Sequence, residues 1–317
     1  WPLTTSMCAL RIACCSIFLG FALVASAAGL GMGTHSSHQG PRDCGDVYIS
    51  GGQLEGFYAV YPNNSNPDEA GLIFCGVRDG MYLRNTSDPR THAKNCQDLK
   101  DGGMLESGIN VIYPYANHPE SPVIVYCEQS ILNGGWTVFQ RRDDYSTQLD
   151  FYKSFDEYAL GFGNVGTEFY LGNEILYELT QQSVDELYVD LTSSDGENKY
   201  ALYNTFDVGS RSGIDGPFQL TIAHYSGTAG DALTHHNGMF FTTFDQDNDV
   251  LSIANCAASC HGAWWYRDCA GPHGANLNGI HYNDGTDSTQ SAYWGSFSNS
   301  REALNRITMM TRPLKQQ

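Results

Sequence analysis

Apolar and polar residues alternate over several short stretches in the middle of the chain. Residues 134–142 alternate after a Gly-Gly turn, which is the pattern of a half-buried strand, and residues 186–191 and 218–222 repeat it. Apolar residues recur at helical spacing in residues 151–160 and 173–180. The pattern therefore predicts short strands and short helices, followed by a loop-rich final part in which binding residues are expected.

The amino-terminal region has the features of a secretory signal peptide. The apolar run 17–24 follows Arg11, and Ala25-Ser26-Ala27 supplies the small residues of a cleavage site. We predict a signal peptide over residues 1–27, with Met7 as the initiator and residues 1–6 as an upstream extension; an uncleaved anchor is the alternative. No other apolar stretch reaches spanning length, so we predict a secreted, extracellular protein without a membrane span.

Composition excludes several classes of function. The chain has 317 residues, of which 41% are hydrophobic and 12% aromatic, enough for one large domain with extras or for two domains. A formal net charge of -18 argues against nucleic-acid binding, which requires basic patches. There is no His-Glu-x-x-His motif and no phosphate loop, and Gly-Ser-Arg-Ser-Gly at 209–213 has Arg where a hydrolase would have its nucleophile. We predict that the protein is not an enzyme.

The cysteines indicate disulfide bonds. Of ten cysteines, three lie in the predicted signal peptide, and the remaining seven are Cys44, Cys75, Cys96, Cys127, Cys256, Cys260 and Cys269. In an oxidising compartment most of them should pair. Because seven is odd, one thiol is left over or pairs between chains.

Two cysteine-bounded segments repeat each other without gaps. The segments 44–75 and 96–127 have equal length, and shared residues recur at a constant offset of 52. These residues are Cys44, Asp46, Gly51, Gly56, Tyr61, Pro62, Pro67 and Cys75, matched by Cys96, Asp98, Gly103, Gly108, Tyr113, Pro114, Pro119 and Cys127. Short antiparallel strands with a turn at Tyr-Pro fit both copies. We interpret 44–75 as a duplicated small subdomain, with chance similarity as the alternative.

The segments around the first copy are polar. Residues 28–43 and 76–95 are predicted to be linkers, and the first has neither heptads nor Gly-X-Y repeats. Asn63 and Asn85 begin the sequences Asn-Asn-Ser and Asn-Thr-Ser, which match the glycosylation acceptor. We predict that both asparagines are glycosylated.

Three alternating carboxylates stand out in the loop-rich part. Asp245, Asp247 and Asp249 place hard oxygen donors two residues apart, as loops that bind calcium do. An EF-hand is excluded, because the sixth and twelfth positions hold Val250 and Cys256 instead of Gly and Glu. A solvated acidic loop is the alternative.

Several further motifs support one resemblance. They are Gly-Gly-Trp-Thr-Val-Phe-Gln-Arg-Arg at 134–142, Glu-Phe-Tyr-Leu-Gly-Asn at 168–173, Tyr-Ser-Gly-Thr-Ala-Gly-Asp at 225–231, His-Asn-Gly-Met at 236–239, Asn-Leu-Asn-Gly at 276–279 and Thr-Arg-Pro at 311–313. With the acidic loop, this set resembles the fibrinogen C-terminal domain of ficolins, tachylectins and related lectins. The resemblance covers about 96–313. It implies an α+β domain with a twisted antiparallel sheet, short helices and a loop-rich subdomain that binds calcium and ligand.

The resemblance implies a metal site and a set of disulfides. Calcium would be held by the side chains of Asp247 and Asp249 and by backbone carbonyls near Leu251 and Ile253, with Asp245 acting through water or not at all. Hard oxygen donors favour Ca²⁺ over zinc. The implied bonds are Cys96–Cys127 and Cys256–Cys269, with Cys44–Cys75 in the duplicated copy. The peptide bond between Asn255 and Cys256 would be cis.

The acetyl-binding pocket of these lectins is altered in this chain. Cys260 replaces a residue of the pocket wall and Ala270 replaces a frequent His, while Tyr293 would substitute for a lost aromatic wall. The candidate ligand-binding residues are Asn255, Cys256, Cys260, His261, Ala270, His273 and Tyr293. Cys260 is also the candidate for the odd thiol. The run Trp264-Trp265-Tyr266 suggests sugar stacking, but core packing is the favoured interpretation.

These observations lead to one functional hypothesis and a rival. The first is a calcium-dependent lectin of innate immunity that binds microbial or acetylated glycans. Single sugar sites are weak, so such a protein would act as a homo-oligomer. The rival is an extracellular module that binds a protein ligand or receptor, as in angiopoietin-like or clotting proteins.

Overall fold

The computed structural model describes residues 56–60, 71–75, 92–119, 121–214, 216–269, 271 and 273–315. The chain divides into two compact units, residues 1–82 and 83–317. The predicted signal peptide, the linker 28–43, Cys44, Asn63, Asn85 and Ala270 lie outside the described residues.

The described part of the first unit is a hairpin. Strands β1 (Gly56–Val60) and β2 (Gly71–Cys75) are antiparallel, with the first residue of β1 opposite the cysteine that ends β2. In the second unit, β3 (Gly108–Ile112) and β4 (Val123–Glu128) pair with the same register after a shift of 52 residues. Each of the five residue pairs in β1 and β2 has its equivalent in β3 and β4. The offset of 52 found in the sequence thus recurs in the register of the two hairpins, and the duplication itself stays a prediction.

The second unit contains five α-helices and eleven strands among its described residues. After β3 and β4 the strands are β5 (Trp136–Arg142), β6 (Phe162–Gly163), β7 (Phe169–Tyr170), β8 (Asp185–Ser193), β9 (Asn198–Val208), β10 (Leu220–Gly227), β11 (Ala275–Asn276), β12 (Tyr293–Trp294) and β13 (Leu304–Pro313). The helices are α1 (Cys96–Asp101), α2 (Phe155–Leu160), α3 (Asn173–Thr180), α4 (Cys256–Cys260) and α5 (Gly295–Ser298). Short helices and many connecting loops agree with the sequence pattern.

A nine-stranded sheet forms the framework of this unit. Its order is β10-β9-β8-β13-β5-β4-β3, with β7 beside β5 and β6 beside β7, and every pairing is antiparallel. The last strand, β13, lies between β8 and β5 at the centre. The loops that follow β10 carry α4 and the two-stranded sheet of β11 and β12.

Three elements differ in detail from their sequence patterns. The strand predicted at 218–222 begins at Leu220 and continues to Gly227. The predicted half-buried strand is buried on both faces, since six of the seven residues of β5 are buried. Helix α2 begins at Phe155 and not at 151, because Ser154 forms a capping box with Glu157. The side chain of Glu157 accepts a hydrogen bond from the Ser154 backbone, and the Ser154 hydroxyl accepts one from the Glu157 backbone.

The core is rich in aromatic rings and is fastened by a disulfide. Trp136 on β5 is fully buried, and the guanidinium of Arg312 on β13 lies 3.9 Å from its ring centroid. The Cys96–Cys127 bond joins the start of α1 to β4 with a Cα–Cα distance of 5.5 Å. Within the described ranges, no helix combines the length and the apolar character that crossing a membrane requires.

Candidate functional site

The acidic loop, residues 245–251, is tied to the cystine loop, residues 256–269, by the carboxylate of Asp249 and by a backbone hydrogen bond from the Val250 amide to the Arg267 carbonyl at 3.1 Å. Asp249 Oδ1 accepts a hydrogen bond from the Leu251 amide, and Oδ2 accepts one from the Cys256 amide, both at 2.8 Å. The first bond shapes the acidic loop itself. The second ties it to the cysteine that opens the cystine loop. A substitution of Asp249 would therefore affect the conformation of both segments.

Two acidic side chains of this loop lie together. Burial raises the pKa of Asp249, and the neighbouring Asp247 raises it further through its charge and through hydrogen bonding between the two carboxyl groups. Neither forms an ion pair with a Lys, Arg or His of the described residues. Two adjacent carboxylates without a neighbouring cation carry negative charge that a bound cation would offset.

Asp245 has a different environment from the other two aspartates. Its Oδ1 accepts hydrogen bonds from the Thr243 hydroxyl at 2.7 Å and from the Phe155 amide at 3.0 Å. These bonds fasten the acidic loop to the first residue of α2. The carboxylate of Asp245 thus has a structural task that the spacing of the aspartates did not reveal.

The donors fit a hard cation in their chemistry. Asp247 and Asp249 supply carboxylate oxygens, and backbone carbonyls would have to complete the coordination of a calcium ion. The carbonyl of Leu251 already accepts a hydrogen bond from Ala254 at 3.3 Å, while the side chain of Ile253 is 87% exposed. No group of three or more His, Cys, Asp or Glu side chains in the described residues is arranged to hold a metal. Asp247 and Asp249 are the side chains that could bind the ion.

The cystine loop begins with a short helix. Asn255 caps α4, because its side-chain oxygen accepts a hydrogen bond from Ala258 at 2.9 Å, and its amide donates to the carbonyl of Thr243 at 2.9 Å. The Cys256–Cys269 bond closes the loop with a Cα–Cα distance of 4.7 Å. The peptide bond between Asn255 and Cys256 is trans in the structure, so the predicted cis bond is wrong. Among the described residues, the cis bond lies between Gly216 and Pro217.

The structure divides the predicted pocket residues between the interior and the surface. Cys260 is a buried free thiol, and burial raises its pKa to about 11. Tyr293 lies near it, and burial raises the pKa of this fully buried phenol to about 12. His261 is half-buried at the end of α4, and His273 is exposed. Cys260 and Tyr293 are therefore brought together in the interior, while the two histidines are nearer the surface.

The tryptophan run belongs to the core. Trp264, Trp265 and Tyr266 are fully buried, and the indole of Trp265 donates to the carbonyl of Phe218 at 2.7 Å. The side chain of Tyr266 donates to Asn276, whose amide donates to the carbonyl of Cys260. Sugar stacking on these rings is excluded, and core packing is confirmed.

A cavity that the sequence did not reveal lies beside the cystine loop. It has a volume of about 240 Å³, and Arg142, Asp150, Tyr152, His261 and His281 are among the residues that line it. These residues come from β5, from the segment before α2 and from two distant loops. In the sequence, the signal for this cavity was the pair of arginines, Arg141 and Arg142, that ends the strand motif. A buried strand seldom carries a charge without a partner or a function.

Comparison with known proteins identifies the family that has this architecture. The model of the C-terminal globular domain of fibrinogen beta and gamma chains matches residues 92–314. The chain belongs to the fibrinogen C-terminal domain family. The predicted family and the predicted fold class are thereby confirmed. Proteins of this family are generally extracellular and are generally not enzymes.

Individual relatives agree with the family match. Fibrinogen C domain-containing protein 1 of Xenopus tropicalis is 39% identical over 242 residues, which cover 74% of this chain and 49% of that protein. The fibrinogen-like globe domain of human ANGPTL2 is 35% identical with a TM-score of 0.65, covering 70% of this chain and 100% of that domain. Lamprey fibrin D-dimer, solved with the peptide ligand Gly-His-Arg-Pro-amide, is 29% identical with a TM-score of 0.63, covering 74% and 79% of the two chains. The chain spans about half the length of the curated relatives that it matches under the first of these names.

Proposed function

We propose that this fibrinogen C-terminal domain protein is a secreted, non-enzymatic recognition protein that binds acetylated or microbial glycans with the support of calcium. The observation that carries the proposal is the double hydrogen bond of Asp249. It joins the acidic loop to the first amide of the cystine loop at 2.8 Å. Whatever stabilises the acidic loop therefore also stabilises the cystine loop.

The role of each residue follows from this connection. A calcium ion, when bound, would supply positive charge that offsets the two neighbouring carboxylates of Asp247 and Asp249. Asp249 would at the same time keep Cys256 in place, and Asn255 would hold the start of α4 through its cap and its bond to Thr243. Asp245 acts as an anchor to α2 and leaves the ion to the other two aspartates.

The experiment is retention on an acetylated resin. Purified protein in calcium-containing buffer is expected to bind the resin and to elute with EDTA or with free N-acetylglucosamine. Asp247→Asn is expected to weaken retention, because it removes one charge from the ion without breaking the Asp249 bonds. Asp195→Asn, which removes a charge at the distant turn between β8 and β9, serves as the control. Retention that is indifferent to EDTA would contradict the role of calcium.

A second candidate function is recognition of a protein or peptide. It is supported by the burial of Cys260 and Tyr293, which leaves no open aromatic wall at those positions. It is also supported by the structure of lamprey fibrin D-dimer, which holds a tetrapeptide amide. No retention on acetylated resin, together with calcium-dependent binding to an extracellular protein, would favour this function.

Glycan recognition by single sites would call for several linked copies. We propose a homo-oligomer, since avidity raises overall affinity without new contacts. Light scattering on the purified protein measures the mass directly, and a monomer at all concentrations would exclude this part of the proposal.

A further inference from the structure

The cavity beside the cystine loop contains a partly unpaired, buried arginine. Arg142 is 2% exposed, and its Nη1 donates to the carbonyls of Leu277, at 3.3 Å, and Gly279. Its guanidinium carbon lies 4.2 Å from the ring centroid of Phe151, which fixes the plane of the group. Nε and Nη2 donate to no described residue, and Nε is fully buried. Nη2 is not fully buried, so it is the free donor that a ligand in the cavity can reach.

The acceptors and charges around the Arg142 guanidinium define the class of ligand. Asp150 is exposed at the rim, where one of its oxygens accepts from the Tyr152 amide at 2.9 Å and the other contacts no described residue. The negative charges of Glu168 and Asp150 act on Arg142 and raise its pKa, whereas burial lowers the pKa to about 10. The guanidinium is therefore charged at neutral pH and already has two carboxylates near it. A further anion would be repelled by those carboxylates and by the net charge of -18.

The remaining walls are neutral or aromatic. His281 is almost fully buried, its Nε2 lies 3.0 Å from the carbonyl of Asn305, and burial lowers its pKa to about 4, so it is uncharged at neutral pH. Tyr152 stacks on His261 with a ring-centroid distance of 4.1 Å and an interplanar angle of 9°. The volume of about 240 Å³ is below the roughly 300–1,000 Å³ of pockets for drug-sized ligands. One small ring is therefore the appropriate size of occupant.

We propose that this cavity is a sugar subsite that binds a hydroxyl group of a neutral monosaccharide ring between Arg142 and Asp150. The hydroxyl oxygen accepts from Nη2 of Arg142, and the same hydroxyl donates its hydrogen to Asp150. A hydroxyl group both accepts and donates, so it can satisfy the arginine and the aspartate together. A carboxylate could satisfy only the arginine.

This subsite is separate from the acidic loop and goes beyond the proposed function. Tyr152 links the cavity to the residue before that loop, since its ring lies 4.8 Å from the ring of Phe244. Neither Asp247 nor Asp249 lines the cavity. Binding here can therefore be tested whether or not the acidic loop binds calcium.

The test is a titration of the full chain with methyl β-D-galactopyranoside, followed by amide NMR. The expected result is saturable shifts at 148–152 and 279–281. Asp150→Asn keeps the size of the side chain but removes its charge, and it is expected to weaken binding about tenfold or more, as for loss of a charged hydrogen bond. Glu106→Gln removes one exposed negative charge from a different segment and is expected to leave the affinity unchanged. Arg142→Lys, checked for folding by the same spectra, keeps the charge but removes Nη2, so it should also weaken binding.

Three results would overturn the subsite. They are the absence of shifts in the wild type, unchanged affinity of Asp150→Asn, and tighter binding of glucuronate than of the galactoside. Retention on acetylated resin is expected to be equal for Asp150→Asn and the wild type. A wild type that binds the galactoside but not the resin would refute the proposed function and leave the subsite standing.

Discussion

At the residue scale, the clearest consequence of burial is a carboxylic acid in the sheet. Asp185 starts β8 and is almost fully buried, with its two oxygens accepting from the hydroxyls of Ser183 at 2.7 Å and Thr311 at 3.0 Å. Burial raises its pKa from 3.8 to about 7, although the two hydroxyls act in the opposite direction. Desolvation outweighs two neutral hydrogen bonds because neither donor carries a charge.

Asp185 is expected to make the folded protein less stable as the pH rises. The folded state holds the proton up to about pH 7, whereas the unfolded chain releases it near 3.8. The contribution is therefore fully present below about pH 4 and is lost as the pH rises through about 7. Asp185→Asn, measured by urea unfolding over this range, is expected to flatten that part of the profile. Asp195→Asn, at a fully exposed position, should leave the slope as in the wild type, and an unchanged slope in Asp185→Asn would contradict the assignment.

At the scale of elements, helix α4 is positioned by three connections. The Cys256–Cys269 bond closes its loop, Asn255 caps it, and Asp249 accepts a hydrogen bond from its first amide. The cap lies at the start of the helix, while the other two connections reach Cys269 and Asp249. The helix has only five residues and could not hold its conformation by backbone hydrogen bonds alone.

A matched pair of variants separates the structural and ion-binding tasks of the acidic loop. An asparagine at position 249 has one acceptor oxygen and one amide donor, so it cannot accept hydrogen bonds from both the Leu251 and the Cys256 amides. We therefore expect Asp249→Asn to lower the free energy of unfolding in EDTA by about 1–3 kcal/mol. Asp247→Asn leaves both bonds intact, so its stability in EDTA is expected to stay within about 0.5 kcal/mol of the wild type.

Both variants of the pair should bind calcium more weakly by isothermal titration, because each loses a negative oxygen donor. Equal stability of the two variants in EDTA would show that the Asp249 bonds contribute little.

At the scale of the whole molecule, the end of the chain completes the centre of the sheet. Strand β13 pairs with both β8 and β5, and it buries Ile307, Met309 and Met310. The framework around the site therefore depends on residues more than 160 positions after β5. Pairing strands so far apart in the sequence requires the closure of a large loop. The entropy lost in closing that loop is not offset until the core forms.

Removal of β13 is expected to abolish folding of the domain. A chain that ends at residue 303 leaves both neighbouring strands without their partner and takes Ile307, Met309 and Met310 out of the core. We expect circular dichroism and NMR spectra of an unfolded or collapsed state. A chain that ends at Pro313 keeps every pairing of β13 and is expected to unfold cooperatively. Native spectra from the shorter chain would contradict the central role of β13.

The sequence by itself determined the family, the class of fold and many of the local elements. Helix α3 has the bounds that its apolar spacing predicts, and the cystine bonds Cys96–Cys127 and Cys256–Cys269 join the cysteines that the resemblance implied. Periodicity and motifs carry this information because they act over a few residues, where the geometry of helices and strands is fixed. Calcium, glycosylation and the acetyl ligand stay predictions.

Tertiary structure decided which side chains meet. It buried both faces of β5, turned Asp245 toward α2, and placed Arg142 against the carbonyls of Leu277 and Gly279, about 135 residues away along the chain. It also withdrew Cys260 and Tyr293 into the interior, where the sequence had placed a binding wall. Local patterns could not predict these contacts, because they arise where distant loops are packed together by the sheet.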